Sequence, residues 1–349
     1  MPPSLRSLPL LLMLLALAGC KRPVEQVVAY SSDASSRTGL LPLADGVLLG
    51  NEAGALLRLR ADGTVLWRAM LGREVAARPA VSGGHVLAGT VGGDLVCVDL
   101  QTGAERWRLT GQPPVLADLA ADEGAVYVMA PDGSVRAHAV DTGALRWRRP
   151  GLPPQVAARL PPPLTPVLGA GTLVLVQGNK VLGLSAQDGA ERWREAKGEV
   201  VGLTGDGQSV FLSTRTGGLL RLRPADGSTV WEVSPAVGAT SAPSLAGGRV
   251  WMGAPPSELV GVKLEDGSLA WKSHLPAPLS GGVAVLGDTV LVPLQGPEGL
   301  LLGLQQPGED PVFEQRLDTR LLSAPAVLGD TALVLGRDGR VLGYRLRRD

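Results

Sequence analysis

Two cysteines and three histidines are the residues of this 349-residue chain best able to act as nucleophiles, bases or metal ligands. His85, His138 and His274 stand in separate segments, and no two have the spacing of a metal-ligand pair. The sequence has no Gly-x-Ser-x-Gly turn, no phosphate-binding loop and no His-Glu-x-x-His motif. Most aspartates stand in turns, where they accept local backbone N–H bonds and do not converge on Ca2+. We therefore expect no enzymatic activity, no cofactor and no metal.

Cys20 ends a segment with the layout of a secretory signal peptide. One charge at Arg6 is followed by an apolar run over residues 8–18 and then by small residues. The run is shorter than the ~20 apolar residues that a transmembrane helix needs. Its last four residues, Leu17-Ala18-Gly19-Cys20, resemble the bacterial lipobox.

The lipobox resemblance implies that residues 1–19 are a signal peptide and that Cys20 becomes the lipidated first residue, with residues 20–23 as a short tether. Several acyl chains on one residue anchor a protein stably to a bilayer. Lys21 stands where an Asp would retain an enterobacterial lipoprotein in the inner membrane, so the resemblance implies the outer membrane. The alternative is an ordinary signal peptide followed by a chance cysteine.

The composition narrows the function classes and leaves one oddity. The 33 basic residues balance 33 acidic ones without runs of one sign, which excludes a nucleic-acid binder that works through a basic surface. Apolar residues make up 45% of the chain, enough for a large core. Cys97 stands in the apolar run 95–98, so we expect a buried side chain. The oddity is that tryptophan, with seven residues, outnumbers three tyrosines and two phenylalanines.

Six tryptophans share one local sequence, in which a turn glycine precedes the tryptophan by four residues. The copies recur about every 40 residues, a period typical of β-propellers. A degenerate copy places Gly308 before Phe313, and Trp251 lies outside the pattern. The aromatic residues of the pattern are Trp67, Trp107, Trp147, Trp193, Trp231, Trp271 and Phe313.

Each period contains four short β-rich runs bounded by Gly, Asp or Ser turns. Eight copies of the first three runs occur, but only seven are followed by the fourth. We predict an all-β fold, with one domain over residues 24–349 that forms an eight-bladed β-propeller of four-stranded antiparallel blades. The leftover run Val24–Tyr30 is predicted to pair with the last blade and close the ring, because closure removes an exposed sheet edge.

The recurrence of one aromatic residue per blade indicates the same environment each time, as packing between neighbouring blades would supply. A tryptophan buries some 150–250 Å2 and has one N–H to satisfy. We therefore assign the six pattern tryptophans and Phe313 to blade docking. The alternative is a row of aromatic platforms for sugars or bases.

The run from Cys97 to Trp107 resembles the repeat of pyrroloquinoline-quinone (PQQ) propellers, with Asp99 and Thr102-Gly103 in the signature positions. With the lipobox and the repeat count, it makes the chain resemble the BamB family of outer-membrane assembly lipoproteins. The resemblance implies a non-catalytic, monomeric scaffold that faces the periplasm. The implied partners are the central barrel-assembly subunit, unfolded outer-membrane protein precursors and the bilayer that holds acylated Cys20.

Two other functions stay open. A PQQ-dependent dehydrogenase shares the repeat, although the adjacent Cys pair and the calcium cluster of those enzymes have no match here. A cell-envelope propeller lipoprotein could instead bind an unrelated protein or a glycan.

The loops from each fourth strand to the next blade, and those between strands two and three, are expected on one propeller face. This face has the most varied sequence, including the proline-rich loop Arg149–Pro163. Interface centres often combine a charge with exposed apolar residues. On that ground we select Arg159, Leu160, Arg320, Leu321 and Leu322 as candidate partner-binding residues. The alternative is that they belong to ordinary rim loops.

Overall fold

The computed structural model describes residues 24–157, 164–305 and 310–347. Strands in these ranges form eight four-stranded antiparallel sheets, which confirms the predicted eight-bladed β-propeller. The helix in the described ranges is a single turn, α1 (Pro154–Ala157). β1 (Val24–Ser31) belongs to the last sheet and the remaining strands follow in chain order, four to a blade.

The first four blades are made as follows. Blade 1 contains β2 (Leu41–Pro42), β3 (Gly46–Gly50), β4 (Ala55–Arg60) and β5 (Val65–Met70). Blade 2 contains β6 (Ala80–Ser82), β7 (His85–Gly89), β8 (Leu95–Asp99) and β9 (Glu105–Leu109). Blade 3 contains β10 (Ala120–Ala121), β11 (Ala125–Met129), β12 (Val135–Ala139) and β13 (Leu145–Arg149). Blade 4 contains β14 (Val167–Gly169), β15 (Thr172–Gln177), β16 (Lys180–Ser185) and β17 (Glu191–Ala196).

The last four blades complete the ring. Blade 5 contains β18 (Val200–Gly205), β19 (Val210–Thr214), β20 (Leu219–Leu222) and β21 (Thr229–Val233). Blade 6 contains β22 (Ser244–Ala246), β23 (Arg249–Ala254), β24 (Glu258–Lys263) and β25 (Leu269–His274). Blade 7 contains β26 (Ala284–Leu286), β27 (Thr289–Leu294), β28 (Gly299–Leu304) and β29 (Phe313–Leu317). Blade 8 contains β30 (Ala326–Leu328), β31 (Thr331–Leu335) and β32 (Arg340–Leu346), with β1 as its fourth strand.

The N-terminal strand closes the ring as predicted. β1 pairs antiparallel with β32, from Val24 opposite Leu346 to Ser31 opposite Arg340. Val28 lies on the buried side of β1 and is 5% exposed. The first and last parts of the described chain are therefore joined in one sheet, which leaves no open gap in the ring.

Aliphatic side chains of the two middle strands fill the seams, by which we mean the contacts between neighbouring blades. In the seam between blades 1 and 2, Leu48 and Leu56 pack with Val86, Val96 and other buried residues. Full burial of such a side chain contributes about 1.5–3 kcal/mol. The core of this protein is thus divided among seams arranged around a central channel. The wall of this channel includes residues of six blades and of the connections that precede blades 2 and 3.

Three side chains that the sequence singled out are buried. Cys97 is fully buried, as predicted, and burial raises the pKa of its thiol to about 12. His138 is also buried, with its Nδ1 atom 2.9 Å from the carbonyl oxygen of Gly143. Trp251 donates its indole N–H to the carbonyl of Ala246 and packs edge-on against Trp271.

Candidate functional site

The pattern tryptophans reach across the seams. Trp67 of blade 1 donates its indole N–H to the carbonyl oxygen of Leu100 in blade 2 over 2.8 Å. The same bond recurs at the next four seams, over 2.7–3.1 Å. The donor and acceptor pairs there are Trp107 and Val140, Trp147 and Ala186, Trp193 and Pro224, and Trp231 and Leu264.

A glycine receives each of these five indoles. An ideal Cβ on Gly103 would lie 2.7 Å from Cδ2 of Trp67, and Gly103 has a φ of +71°. The turns before the second to sixth pattern tryptophans are therefore also the surfaces on which the tryptophan of the preceding blade packs. Five pattern tryptophans are at most 9% exposed, so they do not form a row of surface platforms; Trp107 is the more exposed one.

The expectation of an identical environment is wrong for the sixth tryptophan. Trp271 donates its indole N–H to the hydroxyl of Ser273 in its own strand, over 2.6 Å. Trp251 supplies its aromatic neighbour, at 5.6 Å between ring centroids. Phe313 is buried against Gly303 of its own blade. The indole hydrogen bond across the seam is therefore not formed by these two residues. Trp271 donates to a serine of its own strand, and Phe313 has no N–H to donate.

The loop face, meaning the face that carries the connections between blades and the turns between strands two and three, is held together by backbone hydrogen bonds. Leu152 in the connection after blade 3 donates to the carbonyl of Asp132, in that blade's turn, over 2.8 Å. Equivalent bonds join Gln112 to Gly93 and Leu275 to Ser257. The predicted clustering of these loops on one face is therefore confirmed.

An apolar groove opens on the loop face where blades 3, 4 and 5 meet. Its volume is about 610 Å3, within the ~300–1,000 Å3 of common binding clefts. The side chains of Met129, Leu152, Leu164, Val176 and Val200 form the apolar part of its wall. These residues come from the ends of separate strands and loops, and no sequence motif joins them.

Charged residues stand at the rim of this apolar groove. The guanidinium of Arg215 donates to the carboxylate of Glu199 over 2.6 Å, with both side chains about two-thirds exposed. Asp132 also lines the apolar groove, and its carboxylate accepts the backbone N–H of Ser134. The site therefore has the layout of a protein-binding surface, with an apolar centre and a polar rim.

Three of the five candidate partner-binding residues lie within the described part of the chain, and these three differ in exposure. Arg159 and Leu160 lie outside the described residues, although Leu152 and Ala157 of the same loop line the apolar groove. Arg320 and Leu322 are exposed, and Leu322 stands at the wall of the central channel. The expected exposure of Leu321 is wrong: its side chain is 2% exposed.

The burial of Leu321 has a plain cause. Its backbone forms a β-bridge with Gly336, and this bridge turns the side chain into the core between blades 7 and 8. The side chain there packs with Leu317 and other aliphatic residues. Leu321 is thus part of the core and unavailable to a partner. Cys20, the predicted lipidation site, also lies outside the described residues.

The residues of the central channel bear on the alternative of a PQQ-dependent enzyme, because the oxygen ligands of Ca2+ have to converge in one cavity. The cavity measures about 1060 Å3 and is lined mainly by small and aliphatic residues. Its described wall includes one carboxylate, Asp118, which accepts the backbone N–H of Arg78 and lies 3.4 Å from that guanidinium. A Ca2+ ion takes 6–8 oxygen ligands. The described wall does not fit a Ca2+–quinone centre.

Comparison with known proteins decides the family. The model of the family described as outer membrane protein assembly factor BamB matches residues 52–200, 195–275 and 255–347. The chain belongs to the BamB family. Curated BamB proteins match as well: the one from Yersinia pestis is 26% identical over 88% of this chain and 70% of its own length. The one from Burkholderia pseudomallei is 25% identical over 93% of this chain and 88% of its own length.

Other comparisons cover less of the sequence or only the fold. The BamB protein of Shewanella oneidensis is 29% identical, but the alignment spans 32% of this chain and 30% of that protein. The crystal structure of BamB from Moraxella catarrhalis superposes with a TM-score of 0.74 at 18% identity, over 93% of this chain and 98% of that one. The quinohemoprotein alcohol dehydrogenase from Comamonas testosteroni superposes at 0.69 and 13% identity, over 93% and 77% of the two chains.

The propeller fold is therefore shared by the BamB family and by quinohemoprotein dehydrogenases. The fold alone does not distinguish a scaffold from an enzyme, so the side chains of this chain have to be considered. Among the described residues, no three His, Cys, Asp or Glu side chains gather as metal ligands would. The part of the chain that the structure describes also contains no helix with the length and apolar character of a membrane span. What stands out in this BamB-family chain is the apolar groove on the loop face.

Proposed function

We propose that this chain is a non-catalytic, lipid-anchored scaffold in the assembly of outer-membrane β-barrel proteins, held through Cys20 on the periplasmic side of the outer membrane. The observation that carries the proposal is the BamB family match along residues 52–347. By that relationship its partners are the central barrel-assembly subunit and unfolded outer-membrane protein precursors. The ring supplies a rigid support, and the loops supply the contacts.

We assign the partner contact to the apolar groove between blades 3, 4 and 5. Its wall exposes Val176 and Val200 in part, and its rim carries the Arg215–Glu199 ion pair. A partner that covers these residues gains apolar burial at the centre and charge complementarity at the edge. The proline-rich loop that the sequence singled out borders the same groove through Leu152 and Ala157.

A charge reversal tests this assignment. Arg215 and Arg223 both belong to blade 5, both pair with an acidic residue and both are more than half exposed. They differ in place, because Arg215 lies at the apolar groove and Arg223 follows β20 at the turn toward β21. We expect Arg215→Glu to reduce capture of the barrel-assembly subunit at least tenfold, while Arg223→Glu leaves it unchanged. Equal capture by both variants would show that the apolar groove does not make the partner contact.

The enzymatic alternative has a direct test of its own. The purified full chain is incubated with PQQ and Ca2+, and bound chromophore and alcohol-dependent dye reduction are measured. We expect neither, because the described channel wall offers one carboxylate for the cation. Stoichiometric quinone binding with turnover would make the chain a dehydrogenase.

A further inference from the structure

The seam between blades 2 and 3 differs from the others in two positions of its third strand. Arg136 and His138 on β12 pair with Val128 and Val126 of β11, both in the cluster packed against blade 2. The register of strands two and three identifies the equivalent residues elsewhere. For Arg136 these are Leu57, Val96, Leu182, Leu220, Val260, Leu302 and Leu342, and for His138 they are Leu59, Val98, Leu184, Leu222, Val262, Leu304 and Tyr344.

The other seven blades serve as internal controls for this seam. Their residues at the Arg136 position are all aliphatic and at most 7% exposed. An aliphatic residue therefore satisfies the structural demand of the position, and a guanidinium is not needed to build a blade. With Arg136 in this position, the seam between blades 2 and 3 buries less apolar surface there than each of the other seams, which have a buried aliphatic side chain.

A second arginine faces the first. Arg136 pairs directly with Arg148 on β13, so the two side chains share one face of the sheet. Side chains opposite each other in such a pair have Cβ atoms about 4.5–5.5 Å apart, and like charges there are destabilising. Within the described residues neither guanidinium forms an ion pair. Asp132 is the carboxylate that acts on Arg136 from a distance, and it is engaged with the backbone N–H of Ser134.

The two arginines line an open cavity. It has a volume of about 460 Å3, runs along the outer side of the seam, and also includes His138, Gln112 and Thr142 in its wall. Arg136, His138 and Gln112 also line a second, much smaller cavity. Trp107, which packs at this seam, is the pattern tryptophan that keeps more exposure than the other five.

We propose that this cavity is a binding site for a phosphate monoester. Two guanidiniums supply two positive charges and several N–H donors in a planar geometry that suits phosphate oxygens. The Gln112 amide and the Thr142 hydroxyl are further donors in the wall, and the Nε2 atom of His138 has no hydrogen-bond partner among the described residues. A carboxylate offers two oxygens and one charge, whereas a phosphate monoester offers three terminal oxygens and nearly two charges, so it matches this donor set better.

The rest of the wall suits a ligand that is larger than the anion alone. Leu109 and Leu145 line the same cavity, and Leu145 is 55% exposed. A phosphate monoester with an apolar portion would cover these leucines while its oxygens meet Arg136 and Arg148. A soluble phosphorylated metabolite and a lipid headgroup share this chemistry. The proposal is independent of partner binding at the apolar groove, which lies on the loop face.

Thermal unfolding of the full chain in a non-ionic detergent tests the site. The chain is titrated at constant ionic strength with inorganic phosphate, glycerol 3-phosphate and dihexanoyl phosphatidic acid; dihexanoyl phosphatidylcholine is the phosphodiester comparison. Because ligand that binds only the folded state raises the Tm, we expect a saturable rise with the monoesters. An equal response to glycerol 3-phosphate and phosphatidic acid indicates a soluble phosphorylated ligand, and a preference for phosphatidic acid indicates a lipid headgroup.

Two variants and a control separate binding from structure. Arg148→Gln removes a charge from an exposed outer strand, and we expect the midpoint concentration to rise at least tenfold. Arg136→Leu restores the residue type of the other seams, so it should raise the Tm without ligand and lose the response to ligand. Arg316→Gln on β29 is the control and should keep the wild-type midpoint. The absence of a saturable rise with both glycerol 3-phosphate and dihexanoyl phosphatidic acid, or wild-type midpoints in both site variants, would overturn the proposal.

Discussion

The indole of Trp67 lies against Gly103 of the next blade so closely that a Cβ on that glycine would stand 2.7 Å from the ring. Its N–H donates to the carbonyl of Leu100, three residues before the glycine. Arg58 adds a second crossing at this seam, because its buried guanidinium donates to the same carbonyl and to the side chains of Gln101 and Asp45. The turn of residues 100–103 in blade 2 thus binds two side chains of blade 1, in addition to the aliphatic packing at this seam.

The close packing of Trp67 on Gly103 predicts a large cost for one methyl group. Gly103→Ala must place a Cβ both at a φ of +71° and inside the indole, and we expect a loss of about 3 kcal/mol in the free energy of unfolding. Gly111→Ala is the matched control, since Gly111 has a φ of +67° and open space around it; about 1 kcal/mol is expected there. Denaturant unfolding measures both, and equal losses would show that the indole contact contributes nothing.

Ring closure by β1 predicts that substitutions at two neighbouring valines differ strongly in their effect on stability. Val28 is 5% exposed between blades 8 and 1, whereas Val27 is 36% exposed. Val28→Asp buries a carboxylate without a partner and should lower the free energy of unfolding by about 3 kcal/mol or more. Val27→Asp should change it by no more than about 0.5 kcal/mol. Similar melting curves for the two variants would argue against the closing strand.

Burial of Cys97 predicts a thiol that does not react in the folded protein. Its side chain is fully buried and its pKa is raised to about 12, so the thiolate that attacks an alkylating reagent is scarce at pH 8. Iodoacetamide treatment followed by peptide mass spectrometry should find the Cys97 peptide unmodified before denaturation and modified after it. Rapid labelling of the native chain would contradict the buried position.

The ion pairs of Glu191 in blade 4 predict how the stability of the fold changes at acidic pH. It accepts hydrogen bonds from Arg194 in its own strand and from Arg149 of blade 3, and these guanidiniums lower its pKa to about 2. Because the folded-state pKa lies below the unfolded one of about 4.3, the stabilisation is complete above pH 4.3 and disappears as the pH falls through 2. Glu191→Gln should therefore have a flatter dependence of Tm on pH in that window. A dependence identical to wild type would show that the bridge does not stabilise the fold.

The fold could be predicted because its determinants are local. A glycine with positive φ followed after a fixed offset by tryptophan, as at Gly103 and Trp107, marks one turn and one strand at a time, and the count of such units gives the ring. The closing role of β1 followed from a strand left without a partner. Trp271 departed from the pattern because its bond goes to Ser273, a choice that spacing alone does not reveal.

Only one wall of the candidate site could be expected from the sequence. Leu152 and Ala157 of the proline-rich loop line the apolar groove, and partner binding by this loop stays a prediction. The groove's other walls, such as Met129 and Val200, come from strand ends that are far apart in sequence, and no motif links them. Leu321 and Leu322 look alike in sequence, but a single β-bridge to Gly336 buries the first and leaves the second exposed.

The proposed scaffold role of this BamB-family propeller in outer-membrane protein assembly requires a stable partner, which affinity capture can identify. The tagged full chain is expressed in its own host, and the solubilised envelopes are purified on the tag and identified by mass spectrometry. We expect recovery of the barrel-assembly subunit with the wild-type chain and with Arg223→Glu, and its loss with Arg215→Glu. Reproducible absence of that subunit from the wild-type capture would rule out the scaffold role.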